Sequence, residues 1–435
     1  MNLNYFLERP FTACLLVSLT VFQVFFNSCK KEDPSQLTIR LLSPVNGLSY
    51  TVGDSVFING EINSLQLIQR IEVNIKSLSG VAVGPSLNIF PAVKSYSLNL
   101  WYPVNFSIPS SGSYYLDVIA TDGKTSTHQS VLLTLNNLPR ITKSIYCITG
   151  NGFDLKVNKL DSSGSTIVGI FQGDFSGAGI SSAQHVLFTV GYRTGGINVF
   201  DLEDNTLKAT LPPYNIASGN SFASGEIIDN NFFVTRFDGA VKSYDWIPSQ
   251  TFTTVENLFF VPHQVVKMGN HVLTDVLYNG SLDRKLNVFF YPSGVPRQQK
   301  DIDFNVRKLL TLSADSCLIF GEKNGRLIGY FYFINSNIYN QFKDFGTYQL
   351  FDAILTTNRR VLLATDQGLI QVDLGSYSAF PVFSGTVYEV EQNELTEEIY
   401  CASGSNVVLL NSSFIPQATF AFTDSVMAIK AEYSR

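Results

Sequence analysis

The sequence predicts an all-β chain: a β-sandwich over residues 37–137, then a seven-bladed β-propeller over residues 141–435 closed by its C-terminal strand. Three observations carry this. After residue 140, a short apolar run, a turn and an alternating run recur as a unit seven times. Measured at Tyr146, Leu187, Phe233, Leu273, Leu318, Leu362 and Tyr400, the steps are 41, 46, 40, 45, 44 and 38 residues. A period of about 40–45 residues with about four short strands marks a propeller. Before that array, six β-like runs separated by turn residues fill residues 37–137. The composition agrees: 45% of residues are hydrophobic and 13% aromatic, a bias toward strands that bury both faces. Only 15% are charged, against about 25% in an average globular protein. The net charge of −6, spread without long runs, argues against a nucleic-acid partner, which needs a basic patch.

In chain order, residues 1–28 read as an export signal. The apolar stretch Phe11–Phe26 spans 16 residues behind Arg9, shorter than the roughly 20 residues of a membrane-spanning helix. It ends at Phe26-Asn27-Ser28-Cys29, which resembles a bacterial lipobox, although Phe26 and Asn27 depart from the common Leu-Ala-Gly form. Lys30-Lys31-Glu32-Asp33 resembles the start of mature lipoproteins of the Bacteroidetes group. The resemblance implies lipidation at Cys29, a tether over residues 29–36, and a lipid-anchored outer-membrane location on the periplasmic or the surface side. The alternative is an ordinary secretory signal beside an unmodified cysteine. Cys147, Cys317 and Cys401 are then left as an odd set, read as buried thiols.

The first domain runs through Leu37–Leu42, Ser55–Ile62, Ile68–Ser77, Ser95–Tyr102, Tyr114–Ala120 and Ser130–Leu135. Tyr114, Leu116, Val118 and Ala120 share one face by period-2 alternation. That strand, with Ser43-Pro44-Val45-Asn46-Gly47 and Gly53-Asp54, is similar to bacterial Ig-like and PKD-like modules. Asn136-Asn137-Leu138-Pro139-Arg140 reads as the linker.

The propeller starts out of phase. Ser144–Thr149, Asp154–Leu160 and Thr166–Gln172 supply three strands, and Ser425–Tyr433 matches the missing inner one. Pairing the two chain ends within one blade removes exposed sheet edges. The array resembles seven-bladed propellers of the WD40-like or YVTN-like superfamily but lacks the Gly-His and Trp-Asp dipeptides of true WD40 units.

Chemistry-bearing motifs are scarce. There is no His-Glu-x-x-His, no Cys-x-x-Cys and no sialidase-type Asp box. Gly177-Ala178-Gly179 reads as a tight turn between strands rather than a phosphate loop. Asp301, Asp303 and Asn305 lack the Gly and Glu that a calcium loop needs later on. Only Trp101 and Trp246 exist, too few for quinone docking. No cofactor and no metal are expected. Of four histidines, His263 opens an inner strand near the channel mouth. A metal ligand or general base is conceivable there, but a hydrogen-bonded structural role is expected, with no carboxylate at matching depth.

The remaining surface is the face carrying the loops between second and third strands and between blades. Tyr192, Arg193, Tyr214, Phe237, Tyr278, Lys323 and Arg326 lie there, residue types that anchor protein or sugar partners. The expected function is non-catalytic: a cell-envelope binding or scaffolding protein, with an envelope protein or glycan as partner. The rival is a propeller enzyme, a polysaccharide lyase or hydrolase, which needs titratable groups converging on the channel.

Overall fold

A computed structural model describes residues 37–106, 108, 110–161, 164–214, 219–278, 280–281 and 283–434. The expected signal, tether and lipidation site Cys29 lie outside the described residues. Every regular element among the described residues is a β-strand. The chain divides after Pro139 into two compact units.

In the first unit, Thr38–Ser43, Ser55–Ile68 and Val93–Pro103 form one sheet in that order. Leu48–Thr51, Ser126–Asn136, Gly112–Thr121, Arg70–Ser77 and Leu87–Ile89 form another. Alternation selects the buried faces: Val56, Ile58 and Ile62 are buried on a strand whose Glu61 and Asn63 are exposed. Tyr114, Leu116, Val118 and Ala120 are buried as their spacing predicts. Both sheets feed one apolar core, with Val56, Ile58 and Leu98 from one and Val73, Leu116, Val118 and Leu133 from the other. Each such side chain stabilises by about 1.5–3 kcal/mol on burial. Leu48–Thr51 and Leu87–Ile89, of 4 and 3 residues, escape the sequence pattern because no period is visible over so short a run. Ile68 also ends the long strand Ser55–Ile68, and the next begins at Arg70.

The second unit is a succession of antiparallel four-stranded meanders. Residues 260–302, 305–346, 350–384 and 389–421 each make a separate sheet. Residues 177–211 and 222–253 merge into one eight-stranded sheet through a single parallel pairing of Gly177 with Gly225. A further sheet has the order Gly164–Gln172, Asp154–Asp161, Thr142–Gly150, Ser425–Tyr433. The inner strands Gly177–Ser181, Phe222–Ile228, Phe260–Met268, Asn305–Thr311, Leu350–Leu355, Glu389–Gln392 and Ser425–Tyr433 touch in that order, and the last returns to the first. The unit is thus a closed, propeller-like ring.

Its second strands are apolar because both faces are covered by neighbouring sheets. Val186–Val190 is buried at every position, and so are five of the six residues of Arg360–Thr365. Between sheets, Phe188 stacks on Phe232 with ring centroids 4.9 Å apart. The C-terminal strand is held over its length, with Ser425 opposite Gly150, Ile429 opposite Cys147 and Tyr433 opposite Thr142. Cys147, Cys317 and Cys401 are buried free thiols, and burial pushes Cys401 up to about 12.

Gly177-Ala178-Gly179 corrects the sequence reading. It is the start of an inner strand rather than a turn. A Cβ on Gly177 would run into the backbone of Gly225, so glycine is what lets two neighbouring inner strands meet here.

Candidate functional site

The inner strands surround a cavity of about 170 Å³ lined from every sheet of the ring. Its wall is unusually polar for a strand bundle because charged residues replace the apolar alternation there. Lys308 on Asn305–Thr311 reaches Asp352 on Leu350–Leu355, Nζ to Oδ1 2.9 Å. Lys430 on the C-terminal strand reaches Glu389 Oε1 at 3.0 Å and Glu391 Oε2 at 3.8 Å. The main chain orients the carboxylates: Val390 N donates to Asp352 Oδ2 at 3.2 Å and Ala431 N to Glu391 Oε1 at 3.2 Å.

Burial and mutual charge set the proton affinities. Burial, aided by the Asp352 charge, pushes Glu389 up to about 7 despite Lys430 and Lys308. Burial also raises Glu391, with Lys430 opposing. For Asp352 burial acts upward too, but the Lys308 and Lys430 ammoniums prevail and hold it below the usual carboxylate range. Both lysines stay firmly protonated: burial alone would lower them, and the surrounding carboxylates more than reverse it. Neither can therefore serve as a neutral amine nucleophile near neutral pH. Among these axis groups, Glu389 is able to exchange a proton in that range.

His263 lies on the inner strand Phe260–Met268, one residue before Gln264 of the cavity wall. Two expectations about it are corrected. A carboxylate does sit at its depth, with Asp275 Oδ2 3.8 Å from His263 Nδ1. The hydrogen bond expected of a structural imidazole is also missing at Nδ1, which is buried and has no hydrogen-bond partner among the described residues. Burial and the Arg284 charge lower its proton affinity. Burial pushes Asp275 up to about 7, opposed by the Gln264 N–H, which donates to its Oδ1 at 2.7 Å, and by Arg284.

The loop face lies at the end of the ring where inner strands begin. Tyr192, Arg193, Tyr214 and Phe237 come together there. The Tyr192 and Phe237 rings meet edge to face with centroids 5.3 Å apart, and the Arg193 guanidinium lies 5.4 Å from the Tyr192 ring. Asn220 ties them, donating to Tyr192 OH at 3.1 Å and accepting from Arg193 Nε at 2.8 Å. Tyr214 joins through Ser221 Oγ, which donates to its carbonyl at 2.9 Å, and covers the Arg236 guanidinium at 3.8 Å. Tyr278 lies apart, against Phe259 and Phe260 with centroids 6.1 and 5.3 Å away. Lys323 and Arg326 join neither group: Lys323 pairs with Asp303 at 2.6 Å and Arg326 with Asp344 at 2.9 Å.

The largest exposed apolar side chains of this face went unread in the sequence. Phe153 is 81% exposed, Val255 74%, Leu258 64% and Phe259 63%. Phe153 sits in the turn after Gly152, and the other three occupy the connection between Gln250–Thr253 and Phe260–Met268. The available signal was the apolar triplet Leu258-Phe259-Phe260 following Val255-Glu256-Asn257, in a stretch without strand alternation. The axis residues Lys308, Asp352, Glu389 and Lys430 were likewise missed as a group.

No protein-family model and no curated protein sequence matches the chain. Solved structures do resemble it. A quinonprotein alcohol dehydrogenase-like protein from Bacteroides thetaiotaomicron superposes with a TM-score of 0.50 at 10% identity, over 91% of this chain and 99% of that one. A candidate 6-phosphogluconolactonase from Bacteroides fragilis superposes with a TM-score of 0.51 at 11% identity, over 66% of this chain and 97% of that one. At such identity the likeness is one of fold, and it supports the propeller.

Proposed function

We propose that this chain is a lipid-anchored bacterial outer-membrane protein whose seven-bladed propeller binds a protein partner on the loop face. Lipid at Cys29 would hold it to the membrane, and an Ig-like module over residues 37–137 would act as the spacer. The observation that carries the binding role is the exposed apolar set Phe153, Val255, Leu258 and Phe259 on the same loop face as the Tyr192–Phe237 cluster. Large apolar side chains gathered on one loop face are the mark of an interaction surface. Phenylalanine and aliphatic residues dominate it rather than broad tryptophan platforms, which favours a polypeptide over a glycan. Capture from native envelope extract by the purified chain, set beside binding to a panel of envelope glycans, tests this. A saturable protein partner lost on Leu258→Ser with Phe259→Ser supports the reading. Binding to glycans alone would replace the partner class.

The enzyme reading keeps one specific support: Lys308–Asp352 and Lys430–Glu389 converge on the axis, with Glu389 raised to about 7. Turnover of an envelope polysaccharide, abolished by Glu389→Gln in a folded protein, would establish it in place of simple binding.

A further inference from the structure

Between the meanders of residues 222–253 and 260–302 lies a cavity of about 280 Å³. Val241, Phe260, Val276, Phe289 and Pro296 make its wall, and no charged side chain lines it. Val255, which borders it and is 74% exposed, marks its opening to solvent. Asn287 also lines it and is only 7% exposed. Its Oδ1 is buried without a hydrogen-bond partner among the described residues.

The repeat itself shows what is missing. In the 177–211 meander, Asn198 stands between Thr189 and Thr210, and Thr210 Oγ1 donates to Asn198 Oδ1 at 3.0 Å. Asn287 stands at the same place between Thr274 and Gln299. Its outer neighbour carries no hydroxyl. Thr274 Oγ1 already donates to the Gln264 carbonyl at 2.6 Å. The Gln298 amide is committed to Tyr332 OH at 3.0 Å and the Ile334 carbonyl at 2.7 Å. A buried acceptor left bare is costly, so its donor is to be sought in what fills the space.

A cavity of about 150 Å³ takes one benzene ring, so this one has room for two fused rings. We infer that the crevice binds a small uncharged fused-ring aromatic molecule, its rings among Val241, Val276 and Phe289 and one N–H or O–H meeting Asn287 Oδ1. The crevice opens beside Val255 of the partner-binding face proposed above, but its wall includes neither Leu258 nor Phe259, so either proposal can fail without the other.

Calorimetric titration of the full chain with indole and with 1-methylindole, which lacks the donor, is the test. Indole should bind saturably at one site and 1-methylindole at least fivefold more weakly. Asn287→Leu should bring indole down to the level of 1-methylindole and leave the latter unchanged. Val276→Phe, with an unchanged melting transition, should abolish both. N-acetyltryptophanamide should bind at least fivefold more weakly than indole, because its amides would have to enter the apolar seam. Absence of saturable indole binding, equal affinity for the two indoles in the wild type, or unaltered binding in a folded Val276→Phe protein would overturn the site. Equal affinity for N-acetyltryptophanamide would overturn its assignment to a free molecule.

Discussion

The axis of the ring and the seams between its sheets are built from the same strands by opposite rules. In the seams the side chains are apolar and rigid, as where Phe188 stacks on Phe232 at 4.9 Å. On the axis the inner strands carry Lys308, Asp352, Glu389 and Lys430, paired across neighbouring sheets at 2.9 and 3.0 Å. Dry packing holds one sheet to the next, so the seams supply the stability. Paired charges around a small polar cavity add little net stability, because desolvation offsets most of their attraction. They do make the centre of the ring sensitive to protonation and to the loss of any one partner.

The seams are the place to break the protein. Phe232→Ala removes a fully buried ring and its stacked contact, and should cost about 3–5 kcal/mol, read as a lower denaturation midpoint with the slope unchanged. The axis comes next. Lys430→Met leaves Glu389 and Glu391 without their shared cation. The expected loss is about 2–3 kcal/mol, less than for a fully dry pair because these groups border a cavity. If it equalled or exceeded the Phe232→Ala loss, the division of roles would be wrong.

The pH dependence sharpens the same contrast. Glu389 is raised from 4.5 to about 7 in the folded chain, so the folded state holds this proton more tightly than the unfolded one. The contribution of Glu389 is therefore most favourable below its unfolded value, declines as pH rises toward 7, and is level above. Asp352, held low by Lys308 and Lys430, acts in the opposite sense: its stabilisation is present above its unfolded value of 3.8 and is lost as pH falls further. Glu389→Gln should accordingly gain on the wild type between pH 5 and 7, by roughly 1–3 kcal/mol. Parallel stability curves would remove Glu389 from the account. The smallest effect is expected in the open seam. Val276→Phe adds a ring where about 280 Å³ is free, and should shift stability by less than about 1 kcal/mol, whereas overpacking a filled seam costs about 1–3 kcal/mol.

The seams were legible in the sequence and the axis was not, for a structural reason. Second strands such as Val186–Val190 are buried on both faces and read as plain apolar runs. Counting those runs gives the period, and the out-of-phase start gives the partner of Ser425–Tyr433. Inner strands carry register shifts, between Val306 and Lys308, Leu350 and Asp352, and Val426 and Ala428. A bulge breaks strict alternation and re-aims the residues beyond it, so Lys308 and Asp352 could not be assigned to the axis by counting. His263 lies within another such shift, between Pro262 and Val265, which hid its neighbour Asp275. On the loop face, residue type identified the Tyr192, Arg193, Tyr214 and Phe237 cluster. It did not show that Lys323 and Arg326 pair with carboxylates, Asp303 in the connection before Asn305–Thr311 and Asp344 on the strand Ile338–Gly346.

The central claim is that one loop face binds a partner through exposed apolar side chains that add little to stability. Leu258 and Phe259 are 64% and 63% exposed, so replacing both by Ser should leave the melting transition in place. Surface plasmon resonance with the captured envelope partner, comparing wild type and the Leu258→Ser, Phe259→Ser double variant, tests it most directly. The account predicts at least a tenfold loss of affinity, corresponding to about 1.4 kcal/mol, mainly through faster dissociation. Equal affinity of the two proteins, with both fully folded, would contradict it.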